Sequence, residues 1–135
     1  DEVARHLAPH ADYLGVAVLE EGILLREQGI RTPILVLGGI LGNQVPHFIK
    51  HDLTIPASSV DKLWHIDAVA EQLGQIAKVH LKIDTGMERI GVHYYSAEKL
   101  LETAVKCKHL DVEGIFSVFS SILSSVLEEW WWSCN

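Results

Sequence analysis

Val79-His80-Leu81-Lys82-Ile83-Asp84-Thr85-Gly86-Met87-Glu88-Arg89-Ile90-Gly91-Val92 is the stretch whose reading decides the fold of this 135-residue chain. Val79, Leu81 and Ile83 alternate with His80, Lys82 and Asp84, which is the period of a strand with one apolar and one polar face. In a parallel sheet buried on both sides, those polar residues would be costly to place. In a closed barrel of parallel strands they have a reason. The apolar face meets the outer helices, and the polar face points inward toward the end where such barrels carry their chemistry. Thr85-Gly86 ends the strand, and Arg89 follows in a turn closed by Gly91.

Outward from this strand, the chain alternates helical and extended patterns. Residues 1–10 place Val3, Ala4, Leu7 and Ala8 at helical spacing, and Pro9 marks an end. Residues 13–19 read as a short apolar strand. Residues 20–28 read as a helix that stops at Gly29. Residues 33–37 form a second buried strand closed by Gly38-Gly39, residues 42–51 a helix with Pro46 in its first turn, and residues 53–57 a third strand. Ser58-Ser59 precede a periodic run to Leu73, so a capped helix ending at Gly74 is expected over residues 59–73. After the central strand, Ser96 has the position of an N-cap for a helix through His109, with Leu100, Leu101, Ala104 and Val105 on its inner side. Residues 111–116 read as a fifth strand. The predicted fold is therefore α/β, a partial (β/α)8 barrel of about five parallel β/α units with right-handed crossovers.

The chain is well short of the roughly 250 residues of a complete barrel. Its formal charge of −7 and pI near 5.5 provide no basic stripe for nucleic acid. Cys107 and Cys134 form no C-x-x-C pair and no disulfide framework, which fits a reducing cytoplasm. No basic-then-apolar leader opens the chain and no apolar run approaches the ~18 residues of a spanning helix, so neither secretion nor a membrane partner is expected.

The run His80-Leu81-Lys82-Ile83-Asp84-Thr85-Gly86-Met87-Glu88-Arg89-Ile90-Gly91-Val92 resembles the signature strand of the alanine racemases. The flanking segments agree with that pattern too, in Gly15-Val16-Ala17-Val18-Leu19, then Leu25-Arg26-Glu27-Gln28-Gly29-Ile30, then Pro33-Ile34-Leu35-Val36-Leu37-Gly38-Gly39. The resemblance covers about residues 1–119, which we take as the barrel domain, with 120–135 as a divergent tail. It implies a pyridoxal phosphate enzyme with an N-terminal (β/α)8 barrel, a small amino-acid substrate, and interconversion of L- and D-alanine. It also implies roles for two residues. The lysine matching Lys82 is commonly carbamylated in the family, and the resulting carboxylate holds the arginine matching Arg89, which lies against the cofactor's phenolic oxygen and the substrate carboxylate. A guanidinium suits a carboxylate, and a buried cation needs an anionic partner. The alternative for both residues is a structural ion pair with Asp84 or Glu88.

Other parts of the family pattern have no match. Relatives carry the Schiff-base lysine in a K-A-N-A-Y-G-H-G-like segment upstream of the helix that opens this chain, and no lysine occurs here before Lys50. The later arginine against the pyridine nitrogen, the phosphate loop and the β-domain tyrosine that serves as second base are also outside the match. Two-base racemisation needs a lysine and a tyrosine on opposite faces of the α-carbon. The chain taken alone is therefore expected to be inactive. A second reading is a non-catalytic remnant or interaction module, and a third is a racemase of this fold acting on another amino acid such as serine. Five units leave two open sheet edges, so either neighbouring elements are lost or the chain associates as a homo-oligomer to cover them.

Three remaining features have bland accounts. His47 and His51 at i, i+4 lack a H-E-x-x-H pattern and a nearby cysteine, so no metal is expected. Gly38-Gly39-x-x-Gly42 lacks the G-x-G-x-x-G spacing and reads as a tight turn. Ser117-Val118-Phe119 stands where relatives carry T-H-F or S-H-F, so a supporting histidine is absent. From Phe116 onward Phe119, Ile122, Leu123, Val126, Leu127 and Trp130 fall three or four apart, which predicts a C-terminal amphipathic helix in place of the family's strand end and loop. Its polar face has serines and glutamates but no Lys or Arg, which argues against anionic lipid.

Overall fold

The computed structural model describes residues 2–118. The chain opens with α1 (Glu2–Leu7) and a 3-10 turn that contains Pro9, and then alternates β1 (Leu14–Val16), α2 (Leu19–Glu27), β2 (Ile34–Val36), α3 (Val45–Lys50), β3 (Ile55–Ala57), α4 (Val60–Leu73), β4 (Ala77–Asp84), β5 (Val92–His93), α5 (Ala97–Lys106) and β6 (Leu110–Phe116). Every strand pairing is parallel: β1 with β2, β3 with β4, and β4 with both β5 and β6. A single bridge between Leu35 and Thr54 joins the β1–β2 pair to β3. The five strands expected from the sequence are present, and the two-residue β5, lying beside the end of β4, is one that periodicity did not reveal.

The alternation in β4 has the predicted consequence. Ala77, Val79 and Leu81 are buried against the helices, and Lys82 and Asp84 on the opposite parity are also buried, at 8% and 7% exposure. The helices supply the outer half of the core through Phe48, Leu63, Ile66, Ala70 and Leu100, all inaccessible to solvent. Each large side chain among them contributes about 1.5–3 kcal/mol through removal from water. The cap of α4 forms as its sequence dictates. Ser59 Oγ accepts from the Lys62 amide at 3.2 Å, and Gly74 closes the helix at φ 62°, where a side chain would be strained.

The N-terminal ends of the strands are locked by polar groups. Arg26 on α2 donates to four carbonyls, Ile30 and Thr32 before β2 at 2.8 Å each, and His51 and Asp52 before β3 at 3.1 and 2.8 Å. One planar fork thus fixes two turns at once. Inside the barrel, β6 carries a bulge opposite Val79/His80, so that Val112 pairs with Val79 and Gly114 with His80. The extra residue, Glu113, accepts from Tyr13 Oη at 2.6 Å and from Thr54 Oγ1 at 3.0 Å, which ties β6 to the leading ends of β1 and β3. Gly114 leaves the space that the His80 ring occupies, since a Cβ there would lie 3.1 Å from it.

Several expectations are corrected. The helix after Ser96 ends at Lys106 rather than His109, and Ser96 contributes no side-chain cap. Leu101 and Val105 do not face inward. They are 41% and 86% exposed, and Thr103 takes an inner position with Leu100 and Ala104. Four apolar residues at helical spacing span a broad arc of the surface, and only part of that arc can touch the sheet. The predicted C-terminal helix lies outside the described residues. Among the described residues no helix is long and apolar enough to cross a membrane.

Candidate functional site

The C-terminal end of the strands opens into a cleft of about 310 Å³, lined by Ala17 beyond β1, Leu37 and Gly38 beyond β2, Lys82 and Asp84 on β4, and Arg89 in the loop that follows. This is the end at which barrels of this kind build sites, because successive βα loops converge there. Both residues singled out from the sequence, Lys82 and Arg89, line it.

Lys82 is held by the main chain. Its Nζ donates to the Leu37 carbonyl oxygen at 2.8 Å, and the same ammonium lies 5.4 Å from the centre of the Phe116 ring. Burial and then the neighbouring Arg89 charge pull the Lys82 amine below its usual range, and Asp84 opposes them. The close turn after β2 brings the carbonyl within reach. Gly38 donates to Ala17 O at 3.1 Å, and a Cβ at position 38 would lie 2.4 Å from that oxygen, so glycine is required by close approach.

Asp84 is spent on its own loop. Its Oδ1 accepts from the Gly86 and Glu88 amides at 2.9 and 3.1 Å, and those bonds, Gly86 first, hold the carboxyl below the ordinary range. Three residues of the loop adopt conformations with positive φ, Gly86 at 131°, Glu88 at 52° and Gly91 at 138°. Gly91 must lack a side chain, because a Cβ would meet the Asp84 amide nitrogen at 2.9 Å. The loop thereby turns back so that Val92 and His93 pair with Ile83 and Asp84.

The structural ion pair that the sequence also allowed does not form. Among the described residues the ion pairs are Lys78 with Asp52, and His109 with Asp67 if the histidine is protonated, while Arg89 is exposed. The cleft consequently presents two cationic side chains, and its one buried carboxylate is engaged by backbone amides. That arrangement suits an anionic ligand group and gives a guanidinium the freedom to grip it through two donors. Sequence reasoning missed the Leu37 carbonyl and the Phe116 ring. The Gly38-Gly39 turn after β2 and the alternation of β6 were the available signals.

His51 Nδ1 contacts the His47 carbonyl at 2.9 Å, and no group of three or more potential ligands converges among the described residues. Gly38 and Gly39 serve the turn, as their spacing suggested. Cys107 is a buried free thiol, its pKa raised by burial.

Parallel strands with outer helices, and a cationic cleft at the strands' carboxyl ends, define a segment of a β/α-barrel domain. Comparison with known proteins makes the class specific. Residues 1–128 match the family described as alanine racemase, N-terminal domain. The chain is 40% identical over 116 residues to alanine racemase 1 of Oceanobacillus iheyensis, an alignment that covers 86% of this chain and 31% of that protein. The solved alanine racemase of Clostridium difficile 630 superposes with a TM-score of 0.82 at 39% identity, over 89% of this chain and 32% of that one. The alanine racemase of a D-cycloserine-producing Streptomyces lavendulae gives 0.76 at 30% identity, over 82% and 30%. The chain belongs to the alanine racemase family as part of its N-terminal barrel domain, and it spans about a third of the length of these relatives.

Proposed function

We propose that this chain is the central part of a pyridoxal-phosphate-dependent alanine racemase, and that the whole protein interconverts L- and D-alanine. The observation that supports this reading best is the pairing of Lys82 and Arg89 in one cleft at the carboxyl ends of the strands, without a protein carboxylate to neutralise them. The solved Clostridium difficile relative in complex with cycloserine, a small amino-acid-like ligand, adds support for a small amino acid as substrate.

The residues present fit one edge of the cofactor. Arg89, exposed in the cleft, has the chemistry to hold the phenolic oxygen or the substrate carboxylate. When bound, pyridoxal phosphate supplies the electron sink that makes the α-proton of an amino acid removable. Lys82, desolvated and beside a like charge, is a candidate for carbamylation. Its amine loses a proton to solvent, its lone pair forms an N–C bond to CO2, a second proton leaves the nitrogen, and the resulting carboxylate faces Arg89 as a partner in place of a repelling cation. Asp84 orients the loop that carries Arg89. The described residues offer no lysine in this cleft besides Lys82, and Lys82 is bonded to Leu37, so the group that carries the cofactor belongs to the remainder of the barrel. We accordingly expect the 135-residue chain by itself to be inactive, and the complete protein to act in the cytoplasm as a homo-oligomer.

A pyridoxal phosphate titration of the purified chain tests this. The expected outcome is weak binding abolished by Arg89→Ala, with no absorbance band that borohydride fixes to a peptide. A band trapped on one lysine of this chain would overturn the expected inactivity. Absence of any binding, with the Arg89→Ala chain indistinguishable, would favour a non-catalytic module on the racemase scaffold.

A further inference from the structure

His80 is wrapped by rings and left without a polar partner. Its ring lies 5.1 Å from that of Tyr13 and 6.3 Å from that of Phe116, tilted by 53° and 51°, and it closes on Gly114, where a Cβ would lie 3.1 Å away. Both ring nitrogens are buried, and neither has a hydrogen-bond partner. A neutral imidazole in this cage leaves one donor and one acceptor unused, a cost that an apolar ring of similar size would not carry.

The surrounding groups decide what a proton does here. Burial pulls the His80 imidazole below its usual range, and the charge of Glu113, in the bulge of β6, opposes it. Glu113 Oε2 already accepts from Tyr13 Oη at 2.6 Å and from Thr54 Oγ1 at 3.0 Å. On β4 itself, Lys78 is paired with Asp52 at 2.8 Å and Lys82 is bonded to the Leu37 carbonyl, while Asp111 on β6, whose charge acts on Tyr13, is exposed. Among the described residues, Glu113 is therefore the carboxylate with which an imidazolium at position 80 would pair.

We propose that His80 is an acid-operated latch inside the barrel: a proton taken from solvent makes it a donor to Glu113, which then releases Tyr13 and Thr54. A charge-assisted bond is roughly twice as strong as a neutral one, so a single His80–Glu113 bond competes with the two hydroxyl bonds it displaces. Among the described residues β6 pairs as a strand with β4 alone, and those two bonds are its side-chain ties to the leading ends of β1 and β3. Their release loosens β1 and β3 and leaves the β4–β6 ladder in place. Folded His80 holds fewer protons than the unfolded chain, so its share of stability falls as pH drops through the unfolded value of about 6.5.

Nuclear magnetic resonance on the full 135-residue chain tests the latch independently of the cofactor reading. From about pH 7.5 to about pH 5, a window around the ordinary imidazole value, the His80 ring nitrogens and the Glu113 carboxyl carbon should shift with one midpoint. Over the same range the amides of Leu14 and Thr54, bonded to the Pro33 and Ile34 carbonyls, should lose protection about tenfold, the scale of one lost hydrogen bond, while Leu63 on α4 keeps its own. His80→Phe fills the cage with an apolar ring and should abolish the loss. If that variant does not fold, Glu113→Gln decides, because its amide oxygen still accepts from Tyr13 and Thr54 but carries no charge to draw the imidazolium. The loss should again vanish. A loss that persists in either variant belongs to another group, such as His109 beside Asp67, and overturns the proposal. So does a His80 that stays neutral through this range, or one whose titration leaves the Glu113 carboxyl and the Leu14 and Thr54 amides unmoved.

Discussion

Lys82 Nζ donates to the carbonyl oxygen of Leu37 at 2.8 Å, which ties the carboxyl-terminal part of β4 to the turn after β2 in the cleft. The bond satisfies only one of the three donors of a buried ammonium, and the Arg89 charge nearby disfavours it further. Lys82 therefore costs stability in its charged form and serves the cleft in return.

The pH dependence of stability follows from that cost. With its folded pKa below its unfolded value of about 10.4, Lys82 binds fewer protons in the native state than in the unfolded chain, so this contribution to stability rises with pH up to roughly that value. Between pH 7 and 10.5, a range set by the same reference value of about 10.4, Lys82's share of the change in urea midpoint should be a rise, against opposite shares from Cys107 and Lys78, whose values are raised. Lys82→Met should remove that rise and leave the midpoint at neutral pH equal or higher. A steeper rise in Lys82→Met would contradict this account.

Asp84 works in the opposite direction. Its folded pKa is depressed, so its contribution is present above the unfolded value of about 3.9 and is lost as pH falls through the folded pKa. Asp84→Asn should unfold more easily at neutral pH and lose this acid limb. The loop amides of Gly86 and Glu88 should exchange faster, and affinity for anions in the cleft should fall because Arg89 rides on that loop.

Tyr13 is pushed up to about 12 by burial first and by its hydrogen bond to Glu113 second. Glu113→Gln removes a charge that opposes phenolate formation but leaves the burial. The Tyr13 titration, followed by the ultraviolet absorbance of the phenolate, should move partway back toward the usual value of about 10. An unchanged titration would mean that the carboxylate is not at this hydroxyl in solution.

Arg26→Lys keeps the charge and loses the fork. A lysine ammonium cannot span carbonyls from two turns, so about 2–3 kcal/mol of stability should be lost, seen as a lower urea midpoint with an unchanged slope. The turns before β2 and β3 should show the largest rise in amide exchange. An effect below about 0.5 kcal/mol would place the fork among ordinary surface contacts.

The linear sequence by itself determined the parallel β/α order, the strand from Val79 to Asp84 with its apolar side outward, the capped helix ending at Gly74, and the placement of Lys82 and Arg89 at one end of the strands. These are local properties: periodicity sets which face is apolar, and capping chemistry sets where a helix stops. Tertiary structure alone decided which partners these residues meet. That Lys82 meets the Leu37 carbonyl and the Phe116 ring rather than Asp84, that Glu113 enters the barrel through a bulge to reach Tyr13 100 residues earlier, and that Leu101 and Val105 face outward all depend on register and on which neighbouring element covers a given face. A helical stripe shows how much apolar surface a segment has to bury, whereas the surface that covers it is set by contacts distant in the chain.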